Sequence, residues 1–417
     1  MLDNQTVQPG THPYSRWLAL VWIALAELFA LSLWFSASAV EPQLEAHWHV
    51  GPVWGAWLTA SVQIGFVVGA SASAYASIAD RVPSRRLFAL SALTGSIVNG
   101  LLLFSPGIVP SLILRFLTGI TLAGVYPIAV KILSQWFPTK RGISMGILIG
   151  GLTLGSALPH FILLFMTSID WVWIIRISSL LALLSAVLIL FLLPDAPQIS
   201  IKSAPVSLKM LQQVIRNRPV MLANYGYFGH MWELYAMWTW LPIFLTASFS
   251  YTIHGKSLQH ASTFYAFLVI GIAGAAGSTL GGAFADKIGR ARLTSVAMTI
   301  SAICSVAIGL TYRDPVWITI TVASIWGFSV IADSAQFSAA VTEYAEPQYT
   351  GTALTFQMAI GFLVTVVSIN LIPYLQNQLG WRFVFSILSI GPLLGILAMI
   401  RLRKEEVFHA KSHSLPS

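Results

Sequence analysis

Apolar residues gather along this chain into blocks of about 20, parted by short polar stretches, and the blocks recur from end to end. An α-helix rises 1.5 Å per residue, so a block of ~20 is enough to cross a ~30 Å hydrocarbon layer. Twelve such segments are read, at about residues 17–39, 53–78, 87–105, 109–134, 142–166, 171–193, 220–247, 262–284, 293–311, 316–340, 352–374 and 382–400. In hydrocarbon every backbone polar group must find its partner within the protein, which a helix achieves alone. The pattern predicts an all-α polytopic membrane protein with twelve transmembrane helices.

The pattern also repeats. Glu233 stands 206 residues after Glu27, in ELYAMWTW against ELFALSLW, and Trp240 stands 206 after Trp34. The loop ADKIGRARL lies at the same shift from ADRVPSRRL, so Asp286 matches Asp80. Trp381 follows Trp171 by 210 residues, each expected to open the last helix of its half. The chain therefore divides into an N-terminal tail (1–16), a six-helix bundle (17–193), a linker (194–219), a second six-helix bundle (220–400) and a C-terminal tail (401–417). The linker is rich in Pro, Ser and basic residues, and its SLKMLQQVIRNR portion suits a short amphipathic helix on the membrane surface. Parallel six-helix repeats place a solute site near the midplane, between the halves.

Composition agrees. Of 417 residues, 56% are hydrophobic and 9% charged, with a mean hydropathy of +0.76, whereas soluble domains carry roughly 25% charged residues. The net charge of +8 invites a nucleic-acid partner, but its distribution rejects one. Arg81, Arg85, Arg86, Lys140, Arg141, Lys202, Lys209, Arg216, Arg218, Lys287, Arg290, Arg292, Arg401, Arg403 and Lys404 fall in alternate loops or the C-terminal tail. That is the positive-inside asymmetry, and it puts both termini in the cytoplasm. Cys304 stands alone, so no intrachain disulfide forms. SASAV after the first block faintly resembles a cleavage site, yet that block is too long for a signal-peptide core.

On these motifs the chain resembles the major facilitator superfamily (MFS) of secondary transporters, over essentially its full length. The family's loop signature G-x-x-x-D-R-x-G-R-[RK] is met by Gly282, Asp286, Lys287, Gly289 and Arg290. The first copy has Asp80, Arg81 and Arg85, with Ala76 and Pro83 where glycines are usual, so its loop is expected to turn differently. Arg115 and Gly119 fit the family's R-x-x-x-G. The resemblance implies alternating access around a central cavity lined by segments 1, 4, 7 and 10. It also implies a cytoplasmic latch at Asp80, Arg81, Arg85, Asp286, Lys287 and Arg290, where a carboxylate meets a helix N-terminus in one conformation. Glycines in segments 2, 5 and 8 would form the moving contact. Segment 5 also resembles the family's antiporter motif, although Pro159 comes too late for its Gly-Pro step.

Ionisable residues inside a bilayer cost roughly 2.5–3.5 kcal/mol on insertion scales, so each needs a reason. Here they are Glu27, Arg115, Lys131, His230, Glu233 and Asp333, all in segments 1, 4, 7 and 10. Glu27 lies near the midplane, with Leu31 and Trp34 on its face; Glu233 shares a face with Met237 and Trp240, and His230 joins it. Glu27 or Glu233 is expected to carry a coupling proton with His230 as partner, against the alternative of a neutral Glu binding helices together. Arg115 is weighed equally as site and as scaffold for the first segment. Lys131 reads as snorkelling, with a contact to Asp333 as a gate the other option. His230 and Glu233 alone do not make a metal site. Trp48, Trp54, Trp57, Trp136, Trp171, Trp317 and Trp381 sit near segment ends, as interfacial belts do, and Trp34, Trp238, Trp240 and Trp326 lie deeper.

The expected function is proton-coupled import of a small polar solute by a monomeric carrier in a bacterial inner membrane, with no cofactor and no enzymatic activity. Proton-driven efflux of drugs or metabolites is the alternative, and a solute sensor that does not transport is a third. Arginines deep in segments 2 and 8, which nitrate carriers of this kind hold, are missing here.

Overall fold

The structure, a computed structural model, describes residues 15–137, 141–165, 170–195, 208–346 and 348–413. Among them there are helices and no strand. The first half holds α1 (Arg16–Leu31), α2 (Glu41–Trp48), α3 (Pro52–Tyr75), α4 (Ile78–Arg81), α5 (Ser84–Gly100), α6 (Ile108–Leu122), α7 (Tyr126–Trp136), α8 (Arg141–Leu164) and α9 (Trp171–Phe191). A linker helix, α10 (Leu208–Arg216), leads to the second half. There follow α11 (Arg218–Phe249), α12 (Lys256–Ala266), α13 (Gly274–Ile288), α14 (Arg290–Leu310), α15 (Val316–Ala332), α16 (Ser334–Tyr344), α17 (Thr350–Leu379) and α18 (Ile390–His413).

Ten helical spans among the described residues are long and apolar enough to cross a membrane. The two further expected segments are α1, of 16 residues, and α11, of 32, and these are the helices that carry Glu27 and Glu233. Packing repeats between the halves. The first helix lies against α8 and α9 as α11 lies against α17 and α18, and α5 lies on α9 as α14 does on α18. The halves meet along two seams, α8 with α13 and α3 with α17.

Several expected segments are broken. The fourth stops at Leu122 and restarts at Tyr126. Gly124 loosens the chain there, and Pro127, which has no N–H to give, occupies the first turn of α7, where that lack costs nothing. The tenth stops at Ala332 and restarts at Ser334, with Asp333 between. The two restarts are 208 residues apart, so the break belongs to the repeat. The eighth segment runs α12 to α13 through a π-helical stretch, Phe267–Ala273. Trp171 opens α9, but Trp381 sits in a turn ahead of a 3₁₀ stretch and α18.

The two signature loops turn differently. Gly289 takes φ +87°, a left-handed conformation that a side chain resists, while Pro83 at the matching place has φ −53°. In the first loop Ser77 takes the left-handed turn instead, at φ 52°.

The glycines divide their labour by face. Gly142, Gly146 and Gly282 bring α8 and α13 together across the halves, with the Ser278 hydroxyl donating to the Gly146 carbonyl at 3.2 Å. Gly65, Gly69 and Gly119 serve the contact of α3 with α6, and Gly151 and Gly155 that of α8 with α1. Those five lie within the first half and so are not part of the seam expected from sequence. A helix has two sides, and glycines on either let a backbone approach.

Candidate functional site

The central acids match in sequence but differ in surroundings. Glu233 on α11 accepts from the Trp326 indole N–H of α15 at 2.7 Å through Oε1, and from the Ser301 hydroxyl of α14 through Oε2. Both oxygens are held within the second half. Glu27 on α1 is 0% exposed and neither oxygen has a hydrogen-bond partner. The cause lies in its neighbours. Gly95 stands 206 residues before Ser301 and bears no hydroxyl, and Thr118, 208 before Trp326, spends its hydroxyl on the Leu114 carbonyl.

Tyr126, the first residue of α7, lies within electrostatic range of Glu27, and Tyr227 and Tyr235 of α11 lie within range of Tyr126. Tyr126 is thus the phenol in range of the orphan acid, and two phenols of the other half lie in range of Tyr126. The sequence reading passed over them. Tyr227, Met231 and Tyr235 recur at four-residue intervals on α11, a spacing that puts them on one face.

His230, 2% exposed, has Nδ1 at 2.9 Å from Asp333 Oδ1, an ion-pair distance inside the second half. Its Nε2 has no partner. Lys131 donates to the Ala79 carbonyl at 2.6 Å, so Asp333 meets His230 and not Lys131.

Arg115 is fully buried and engaged on three elements. Its guanidinium donates to the carbonyls of Leu33 at 2.9 Å, of Trp34, and of Leu58 at 3.3 Å, and to Ser36 Oγ and Asn99 Oδ1, both at 3.2 Å. Helix α1 ends at Leu31, and the carbonyls of Leu33 and Trp34 belong to the turn that follows it. The arginine ties that turn to α3 and α5.

Aromatic rings close over this centre. Trp34 packs on Phe66 at 5.2 Å within its own half and on Tyr235 at 5.7 Å and Phe362 at 5.4 Å from the other. Phe66 meets Phe362 at 4.5 Å, and Phe35 stacks on Tyr235 at 6.1 Å. The Trp34 indole N–H has no acceptor. Trp240, its repeat mate, donates to the Ile369 carbonyl of α17 at 2.9 Å. Trp34, Trp238, Trp240 and Trp326 are all buried; of the expected belt Trp54, Trp57 and Trp317 are exposed near helix ends, whereas Trp136 and Trp171 are buried.

The loop residues also fall apart into groups. Asp286 reaches across the halves to Gly142 at the N-terminus of α8, so close that a side chain there would collide with its carboxylate. A carboxylate at a helix N-terminus is electrostatically favoured. The Asp80 side chain lies outside the described residues. Arg85 caps the end of α9, donating to the carbonyls of Leu190 at 2.6 Å and Ile189 at 3.3 Å, and pairs with Asp195 at 2.8 Å. Arg290 instead pairs with Glu343 at 3.1 Å and donates to Gln336 at 3.2 Å. Arg81 and Lys287 are exposed.

Two packed sets of apolar helices around a buried polar centre define a polytopic membrane transporter. The chain belongs to the Major Facilitator Superfamily, whose sequence profile matches residues 23–369. It is similar to a gallate transporter of Pseudomonas putida, with 23% identity over 92% of this chain and 91% of that protein. A probable sulfoacetate transporter of Cupriavidus necator is 26% identical over 54% of this chain and 56% of its own length. A putative niacin/nicotinamide transporter of Bacillus subtilis is 29% identical over 50% and 53%. These last two matches span about half of each relative.

Proposed function

We propose that the chain is a proton-coupled importer of a small organic acid, working as a monomer in a bacterial inner membrane with both termini in the cytoplasm. Its halves, about 17–193 and 220–400, rock about the centre, and Asp286 at the N-terminus of α8 is one latch between them. The observation that carries the reading is Glu27: a buried carboxylate whose two oxygens have no hydrogen-bond partner, within electrostatic range of the Tyr126 phenol. Such a group either holds a proton or takes a partner from the cavity, since an unpaired buried charge is costly. It therefore supports a site that exchanges protons as the cavity changes sides. Glu233, with both oxygens engaged, serves as scaffold, and so does Arg115. Sulfoacetate, gallate and niacin, among the solutes named for the relatives, are acids, and this supports the substrate class, although nicotinamide, named beside niacin, is not one.

The test is uptake of labelled gallate, nicotinate, tartrate and sulfoacetate into proteoliposomes under an imposed pH gradient, for wild type and Glu27→Gln. Accumulation of one acid by wild type is expected, with loss of gradient-driven accumulation but not of solute exchange in the variant. Equal accumulation by both proteins removes Glu27 from coupling. The aromatic cover of Trp34, Phe66, Phe362 and Tyr235 favours a second reading, efflux of lipophilic compounds. Extrusion of a lipophilic cation and no uptake of any acid would select it.

A further inference from the structure

We infer that His230, held by Asp333, is where the solute's carboxylate docks together with a proton of its own, so that anion and proton enter the cavity as one neutral unit. This rests on the reading of the chain as an organic-acid carrier, and it adds a second proton site to Glu27, in the other half.

The geometry is that of an imidazole with one face open. Nδ1 lies at ion-pair distance from Asp333 Oδ1, an oxygen that accepts no hydrogen bond, and Nε2 is buried with nothing to bind. A nitrogen left in that condition costs free energy until a ligand satisfies it. A neutral ring that carries its hydrogen on Nδ1, beside the Asp333 carboxylate, offers a bare lone pair at Nε2. An ionised carboxylate brings no hydrogen to that lone pair and is repelled by it. Add one proton from a solvent or buffer acid and an N–H bond forms at Nε2 as the donor's bond to that hydrogen breaks; the new N–H donates to a carboxylate oxygen. Asp333 already balances the imidazolium, so the added pair, solute anion and proton, is electrically neutral. An un-ionised acid whose hydroxyl donates to Nε2 has the same composition.

Nothing else nearby competes for the role. Glu233, one turn along α11, is committed to Ser301 and Trp326. Against this stretch of α11, helices α17 and α18 present Gly361, Gly391, Gly395 and Met399, none titratable. From α16 come Phe337, at 5.4 Å ring to ring, and Gln336, which Arg290 occupies. Tyr227 lies 6.1 Å from the imidazole and adds a phenol to the same wall. The cations of the first half are engaged as well, Arg115 by helix carbonyls and Lys131 by Ala79. Among the described residues His230 is thus a cation-forming group with an unpartnered ring nitrogen; the buried His160 lies on α8 of the other half.

The experiment is calorimetric titration of the purified full-length chain with nicotinate, gallate, tartrate and sulfoacetate, in two buffers of different protonation enthalpy. It is run at about pH 8, where an ordinary imidazole is neutral. Nicotinamide and methyl gallate serve as uncharged controls. Wild type is expected to take up about one proton per acid bound, so its affinity for the acid falls about tenfold per pH unit above that point. His230→Gln should still bind, through its amide N–H, but without the uptake. Asp333→Asn should weaken acid binding about tenfold or more, on the scale of one lost charge-assisted bond. Uptake that survives in H230Q, or a control that binds as tightly as its acid, overturns the inference. If H230Q does not fold, the wild-type pH slope decides, and a flat slope overturns it. If wild type binds none of the four acids, the organic-acid reading itself falls.

Discussion

The two copies of one sequence motif have opposite fates in this molecule. In the second half Glu233 and Trp240 are clamped, the acid by Ser301 and Trp326 and the indole by the Ile369 carbonyl. In the first half Glu27 and Trp34 sit at matching positions with their polar atoms unpartnered. A repeat preserves the placement of a side chain, but its partners come from other helices that are free to diverge. Of the two copies of the motif, the one whose polar atoms are satisfied is fitted to be a scaffold, and the one whose atoms wait for a partner is fitted to respond to proton or solute.

Arg115 gives the largest expected effect on that contrast. It holds the end of α1 open, and the position 208 residues on is Ala323. The two helices differ accordingly, with α1 ending at Leu31 while α11 continues unbroken to Phe249. Arg115→Ala leaves the carbonyls of Leu33, Trp34 and Leu58 with a lost partner, and hydrogen bonds to charged groups contribute roughly 1.5–3 kcal/mol each. Loss of folded protein is expected, read as aggregation on size-exclusion chromatography. Ala323→Thr in the other half should be tolerated. If R115A is as monodisperse as wild type, the arginine is not the support of α1 that its bonds describe.

Next come the acids, whose variants should separate cleanly. Glu27→Gln is expected to remove proton-driven accumulation and leave thermal stability unchanged. Glu233→Gln turns an amide N–H toward one of two donors, leaving a buried group unsatisfied at about 1–3 kcal/mol, so it should lower the melting temperature and keep the coupling. Uptake and thermal unfolding measured on both variants test this; the opposite assignment would reverse the roles of the halves. A smaller difference follows for the indoles. Trp240→Phe loses a bond worth about 1 kcal/mol, while Trp34→Phe loses none, so only the first should melt lower.

The framework of this fold was legible because bilayer physics writes it plainly into sequence. Helix length, loop charge and repeat spacing each follow from one dominant effect, and of the costly residues of segments 1, 4, 7 and 10, Glu27, Arg115, His230, Glu233 and Asp333 are buried while Lys131 is half-buried. The choice between Glu27 and Glu233 was not legible, because it hangs on Ser301 and Trp326, 68 and 93 residues from Glu233. Neither residue type announces such a role. The breaks at Gly124 and Asp333 were hidden by hydropathy that runs on through them. A Gly followed by Tyr-Pro was the available signal for the first.

Glu41 extends the contrast outside the membrane and supplies the subtlest test. It begins α2, after the first segment, and the residue 206 positions later is Ala247, so here only the first half holds an acid. Glu41 is 1% exposed, neither oxygen has a partner, and its carboxyl rests against Gly55. Burial, and secondarily the charge of Glu45 one turn on, push its pKa well above the ordinary carboxylate range. The folded state therefore favours the protonated form. Its contribution to stability is complete below the ordinary carboxylate pKa and is lost as pH rises through the raised folded value. Glu41→Gln keeps the shape and cannot ionise. The variant and wild type should melt together in acid, and the variant should melt higher by a margin that widens toward alkaline pH. Because the group lies outside the spans, uptake under a pH gradient should stay as in wild type. A melting difference that is constant with pH would mean that Glu41 finds a donor or solvent in the folded chain. The unpartnered acids of the first half would then be confined to its transmembrane centre.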